Sequence, residues 1–261
     1  MTAHRSVPGA VDPAAVLSEE VTVERDGMPV RGYLARPRSG TPAPGLLVLH
    51  EAFGLNEHIR DLARRFAGAG FVALAPDLYS RTGAPDPADM PAVLEAMFAL
   101  PDEQVVADLD ALAAYLRGRS DVTGAVGEIG FCAGGRQVLL HACSSRAVDA
   151  AVDCWGGYIR RARPEAEVTA SRPVPVIDLV PRLSCPLLAV GGVEDTNPSP
   201  ADLAELETRL RAAGKPGRVR VFDGAGHAFL ADYRPTYRPE AAHALWGEVI
   251  EFLRAHLVKQ D

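Results

Sequence analysis

Apolar and polar residues follow three rhythms along the chain. In 20–24 and 30–34 they alternate one by one around Asp26-Gly27, the pattern of a β-hairpin whose turn needs positive φ. From 44 to 50 the apolar run is unbroken, which predicts a strand covered on both faces. Beyond it, strands alternate with helix-period segments. Helices are expected over 57–69, 88–98, 102–117, 133–145, 200–213 and 239–256. Strands are expected over 71–75, 125–131, 149–154, 186–191 and 218–222. Repeated βα units after an antiparallel start predict an α/β fold: a mostly parallel twisted sheet with an antiparallel N-terminal hairpin and helices on both faces. Residues 1–18 read as a loosely ordered extension and 19–261 as one domain. The only long non-periodic stretch, 156–184, is expected to be a lid or a pocket-wall insertion.

Composition narrows the function classes. With 27 basic and 34 acidic side chains the net charge is −7, so no nucleic-acid or anionic-membrane footprint is expected. No apolar run reaches the roughly 18 residues a membrane helix needs, and 1–15 lack the apolar core of a secretory signal, which points to the cytoplasm. The four cysteines, at 132, 143, 154 and 185, form no CxxC pair, so neither a disulfide framework nor a zinc ribbon is expected. His50-Glu51 does not continue into HExxH, and Gly224-Ala-Gly226 lacks the third glycine of a dinucleotide loop. No metal and no cofactor is expected; the partner is a small molecule, and the chain a monomer or homodimer.

Parallel sheets place chemistry at the carboxyl ends of their strands. Four polar or reactive groups fall there. Gly130-Phe131-Cys132-Ala133-Gly134 has the form of a nucleophile elbow with cysteine in the serine's place, feeding into a helix whose N-terminal dipole favours an anion. The pentapeptide alone equally fits a small buried cysteine in a Gly-rich βα turn. Asp195 follows one later strand and His227 the next, in the chain order nucleophile, acid, histidine of α/β-hydrolases. Asp195 could instead cap the following helix, although Ser199 before Pro200 can serve there; Glu194 is the fallback acid. Cys143, Cys154 and Cys185 read as packing residues.

Taken together, His50-Glu-Ala-Phe-Gly54, Pro76-Asp-Leu-Tyr-Ser-Arg81, Gly130-Phe-Cys-Ala-Gly-Gly135, Gly192-Val-Glu-Asp195 and Gly224-Ala-Gly-His-Ala-Phe229 resemble the dienelactone hydrolases, or carboxymethylenebutenolidases, of the α/β-hydrolase superfamily. The resemblance spans about 20–257. It implies a Cys132–His227–Asp195 triad that cleaves a small ester or lactone through a thioester, without a cofactor. It further implies that Glu51 holds the resting cysteine away from the histidine until substrate displaces it, and that the backbone N–H groups of Ala133 and Ala52 form the oxyanion hole. The same site could serve acyl transfer or ring modification in secondary metabolism; a binding-only member of the fold would not need all four polar groups.

Substrate recognition departs from the family. Its lactone carboxylate is gripped by arginines, one after the Asp-Leu-Tyr-x-Arg motif and one shortly after the histidine, but 82–116 contain no Arg or Lys and the residue four past His227 is Ala231. A replacement clamp could come from Arg81, Arg160, Arg161, Arg234 or Arg238. Tyr79, Phe53, Trp155, Tyr158 and Phe229 are candidate pocket walls, and ordinary packing explains them equally well.

Overall fold

The computed structural model describes residues 7–160 and 169–258. Strands β1 (Val16–Arg25) and β2 (Met28–Pro37) form the expected hairpin, with Asp26 at φ 52° and Gly27 at φ 75° in the turn. Strand β3 (Ala43–Leu49) is followed by helix α1 (Glu57–Gly68) and β4 (Val72–Pro76); helices α2 (Met90–Ala99) and α3 (Asp102–Arg117) then lead to β5 (Val122–Phe131). The chain continues through α4 (Ala133–Ser144), β6 (Ala150–Cys154), β7 (Leu187–Gly192), α5 (Pro200–Ala212), β8 (Gly217–Phe222) and α6 (Pro239–Leu257). The eight strands make one sheet in the order β1-β2-β4-β3-β5-β6-β7-β8, with β1–β2 and β2–β4 antiparallel and every later pair parallel. This is an α/β-hydrolase fold. Among the described residues no helix is long and apolar enough to cross a membrane.

The unbroken run of β3 has a direct cause. Leu46 and Val48 point into a core shared with α1 and α6, through Leu62, Phe66, Leu245 and Leu253, while Leu47 and Leu49 point into a second core with α3, α4 and α5, through Leu109, Val138 and Leu206. A strand between two helical layers has no wet face, so the period of two disappears. The carboxyl ends of β3, β5, β7 and β8 lie along one edge of the sheet, and the motif residues follow them.

One expectation changes. The loosely ordered extension does not run to residue 18: β1 begins at Val16, and Pro13–Ala15 form a 3-10 turn capped by Asp12, whose side chain accepts the Ala14 N–H at 2.9 Å. Before that turn, Gly9 comes so close to the Trp246 ring that a Cβ there would lie 2.2 Å from it, and Val11 rests on Gly68, so the lead-in packs on α1 and α6; residues 1–6 lie outside those described. The 156–184 segment is built into the body where it is described. Val176–Arg182 form a 3-10 helix with Val176, Ile177 and Val180 buried, and Ser171 O accepts the Asp102 N–H at 2.8 Å. Residues 161–168, including Arg161, lie outside those described.

Candidate active site

Cys132 sits between β5 and α4 with φ 54° and ψ −114°, a conformation that costs a non-glycine residue about 1–3 kcal/mol. Its neighbours explain how the turn closes. A Cβ on Gly130 would lie 2.2 Å from Gly134 O, and one on Gly134 would lie 2.6 Å from both Leu49 O and His50 O. The two glycines therefore let the elbow pack against β3 while the half-buried thiol faces outward. The N–H of Cys132 is held by Cys154 O at 3.0 Å.

His227, on the loop after β8, pairs through Nδ1 with Asp195 Oδ2 at 2.8 Å and shares the cavity wall with Cys132. Burial pulls the imidazole pKa down. The hydrogen bond to Asp195 and the interaction with Cys132, with the charges behind them, outweigh it and push the value up to about 10. Asp195 is buried, and its Oδ1 accepts the Asn197 N–H at 2.9 Å, so both oxygens have fixed tasks. Ser199 caps α5 in a capping box with Asp202, which leaves Asp195 free for the histidine; Glu194 is exposed.

Glu51 follows β3 and is almost wholly buried, which pushes its carboxyl pKa up; the Arg234 guanidinium opposes this, with Nη2 donating to Oε2 at 2.8 Å. The Tyr233 hydroxyl lies 3.4 Å from the same oxygen, and Arg234 lies 5.1 Å from the Phe53 ring centroid. The turn at Ala52 is braced from beneath. His50 donates from Nδ1 to Glu51 O at 2.6 Å and accepts the Leu78 N–H at Nε2, 3.1 Å, which defines its tautomer, and the Tyr79 hydroxyl donates to Ala52 O at 3.2 Å.

These groups open onto a cavity of about 320 Å³ whose lining includes Cys132, His227, Asp195, Ala52 and Ala133. A thiol on a strained elbow, an imidazole on a buried carboxylate, and backbone N–H groups at a helix start and a βα turn form a constellation suited to attack on a carbonyl. Comparison with known proteins decides its lineage. The model of the dienelactone hydrolase family matches residues 30–257. The chain belongs to that family. It is 36% identical over 252 residues to a Methylorubrum extorquens protein assigned as a carboxymethylenebutenolidase, covering 95% of this chain and 84% of the relative. It is 33% identical to a Bradyrhizobium protein assigned as a 2-oxo-3-(5-oxofuran-2-ylidene)propanoate lactonase, covering 91% and 94%. A crystal structure of a Klebsiella pneumoniae protein assigned as a dienelactone hydrolase superposes with a TM-score of 0.83 at 34% identity, covering 91% of this chain and 98% of that one. The chain is a hydrolase of the dienelactone hydrolase family.

Against the family pattern, the structure sorts the sequence-derived residues. Cys132, His227, Asp195, Ala133, Ala52, Phe53 and Tyr158 meet at the cavity, and Arg234 joins them. The other described candidates do not line it. Arg81 is locked on Asp108, Nη1–Oδ2 2.5 Å and Nη2–Oδ1 2.8 Å, because a buried carboxylate outcompetes an open pocket for the guanidinium. Arg160 is exposed and pairs with Glu205 at 3.0 Å. Trp155 and Phe229 are fully buried and pack together with ring centroids 4.9 Å apart and planes tilted by 56° in the α6-side core. Tyr79 supports the Ala52 turn from behind and reaches the cavity only through it. Arg238 is exposed and donates to Gly224 O at 3.2 Å. Glu51 lies just outside the cavity lining and is held by Arg234 and Tyr233. Cys143, Cys154 and Cys185 are buried as expected.

Sequence reasoning passed over Arg136, Arg172, Asn197 and the α2 side chains Met90, Val93, Leu94 and Met97, all of which line the cavity. Arg136 is buried with both guanidinium nitrogens on Asp102, at 2.7 and 3.0 Å. Asn197 Oδ1 accepts the Tyr158 N–H at 2.9 Å, tying the acid loop to the opposite wall. For Arg136 and Asn197 the one sequence signal was position, just after the turn at Cys132 and just after Asp195.

Proposed function

We propose that the protein is a cysteine hydrolase that cleaves a small ester or lactone through a thioester. Cys132 Sγ attacks the carbonyl carbon, and the C–O bond breaks as the His227 imidazolium gives its proton to the leaving oxygen. Water then attacks the thioester; His227 takes a proton from it, the S–C bond breaks, and the acid leaves. The N–H groups of Ala133 and Ala52 hold the oxyanion in both steps, each worth about 2.7–4 kcal/mol where such donors have been removed. Proton transfer through His227 adds about 10²–10⁴ in rate. The observation that carries the reading is the His227 imidazole paired with buried Asp195 in the same cavity lining as Cys132 on its strained turn. The reading is supported by relatives assigned to ester- and lactone-cleaving activities.

The test is turnover of 4-nitrophenyl esters and simple lactones by the wild type and by Cys132→Ala, with mass spectrometry of the quenched protein. A loss of at least about 10³ in kcat and an acyl adduct on the peptide containing Cys132 are expected. Turnover that survives Cys132→Ala defeats the assignment.

A further inference from the structure

Helix α2 breaks the pattern of its neighbours. Met90, Val93, Leu94 and Met97 recur at i, i+3, i+4 and i+7, a spacing that ordinarily turns an apolar stripe onto the core. Here all four side chains line the cavity that holds Cys132 and His227. Val93 and Met97 are buried, but Met90 and Leu94 remain 47% and 38% exposed, an unusual state for large apolar residues on a well-formed helix. Beneath α2 lies neither main core but a small separate cluster with Ala52, Phe53, Ala133 and Tyr158, the walls of the site itself.

The helix is fastened from outside that cluster. Asp89 caps its start by accepting the Ala92 N–H at 3.1 Å. At its end, Arg172 from the 156–184 segment donates from Nη2 to Met97 O, one of the last four carbonyls, which have no partner within a helix. The same guanidinium lies 5.0 Å from the Phe98 ring centroid, its charge at the negative end of the helix dipole. The cations near the cavity are thus engaged: Arg136 by Asp102, Arg234 by Glu51, and Arg172 by the α2 terminus, with its unpartnered Nε and Nη1 wholly buried.

We infer that the α2 stripe is the specificity surface of the site and binds an uncharged alkyl or aryl group attached to the scissile carbonyl or to its leaving oxygen. The favoured substrates are neutral apolar esters or lactones, and the group covers Met90 and Leu94 when bound. The inference rests on the hydrolytic reading for the bond that is cut, and on the stripe alone for what is bound.

Two series test it: 4-nitrophenyl esters from acetate to octanoate, with the hemisuccinate as the anionic member, and alkyl acetates of rising length. In at least one series kcat/KM should rise about three- to fourfold per methylene until the cavity is filled. The hexanoate-to-acetate ratio should fall about tenfold or more in Met90→Ser/Leu94→Ser, whose half-exposed positions spare the fold. Flat profiles in both series, a ratio unmoved by the double substitution, or preference for the hemisuccinate overturn the inference. Binding of methyl ketones of rising length to Cys132→Ala, followed by ligand-observed NMR, separates it from the catalytic reading. Tightening with chain length that disappears in the α2 double variant supports the stripe even if no ester is turned over, and affinity independent of length overturns it.

Discussion

Gly134 has no room for a side chain: any Cβ there closes on the carbonyls of Leu49 and His50. Gly134→Ala should therefore cost more than about 3 kcal/mol, or be relieved by moving Cys132 off its backbone conformation and out of line with His227. Urea unfolding and esterase assays together separate these outcomes, since the first lowers the midpoint and the second abolishes turnover in a folded protein. At His227 the pH dependence follows from the same contacts. With its pKa raised to about 10, the imidazolium persists through neutral pH and is lost as pH rises through about 10, so kcat/KM should decline on the alkaline side in that range. Asp195→Asn removes the carboxylate, takes away part of what opposes burial, and should move that alkaline limb to lower pH while lowering kcat about 10²–10⁴-fold. A limb that does not move would mean that Asp195 does not set the imidazole's protonation. Glu51 calls for a different variant: Arg234→Ala leaves its carboxyl buried with His227 as the remaining cation, so its pKa rises further and the acid limb of kcat/KM should shift upward, read from a pH–rate profile.

At the scale of elements, α4 does more than start at Cys132. On its inner face His141 is fully buried, with Nδ1 on Glu128 of β5 at 2.7 Å and Nε2 on Asp110 of α3 at 3.1 Å. Burial lowers the imidazole pKa, but Glu128 and Asp110 outweigh it and bring it up to about 9, while burial raises Glu128. Because the folded value lies above the unfolded one near 6.5, the stabilisation from His141 is complete below pH 6.5 and is lost as pH rises through about 9. Chemical denaturation across pH 6.5–9.5 should thus show falling stability in the wild type. Glu128→Gln/His141→Gln, which removes both titrating groups, should reduce that slope and leave the part that His227 contributes. The elbow helix is thereby clamped to strand and neighbouring helix by ionic contacts unrelated to the chemistry at its tip.

Across the whole molecule, Asp108 binds together parts distant in sequence. Its buried carboxylate accepts from Arg25 Nε at 2.5 Å, at the end of the hairpin's first strand, and from both Arg81 terminal nitrogens, on the loop after β4. A guanidinium in that role contributes to stability and not to substrate binding. Arg81→Ala should destabilise the fold by about 1–3 kcal/mol, a fall of roughly 2–12 °C in Tm at 2–4 °C per kcal/mol, and leave KM for neutral and anionic esters equal to wild type. Calorimetry and steady-state kinetics on one preparation decide it; a KM rise confined to anionic esters would return Arg81 to the pocket.

What could be read from the sequence is what short range determines. The alternation of 20–24 and 30–34, the closed run of β3 and the helix-period segments each record how many faces an element buries, so the order of elements and the fold were legible. So was the elbow, since a nucleophile turn needs small residues two positions to either side whatever surrounds it. Choices among competing partners were not legible. Arg81 looked free until Asp108, 27 residues on, claimed it, and the Glu51–Arg234 pair spans 183 residues. Trp155 and Phe229 carry the composition of pocket walls and core alike, and only the packing of α6 over them decides which they are. The stripe on α2 has the period of a core helix, and only the tertiary structure turns it toward a cavity. Periodicity reports that a face is apolar; what lies opposite that face is a property of the assembled chain.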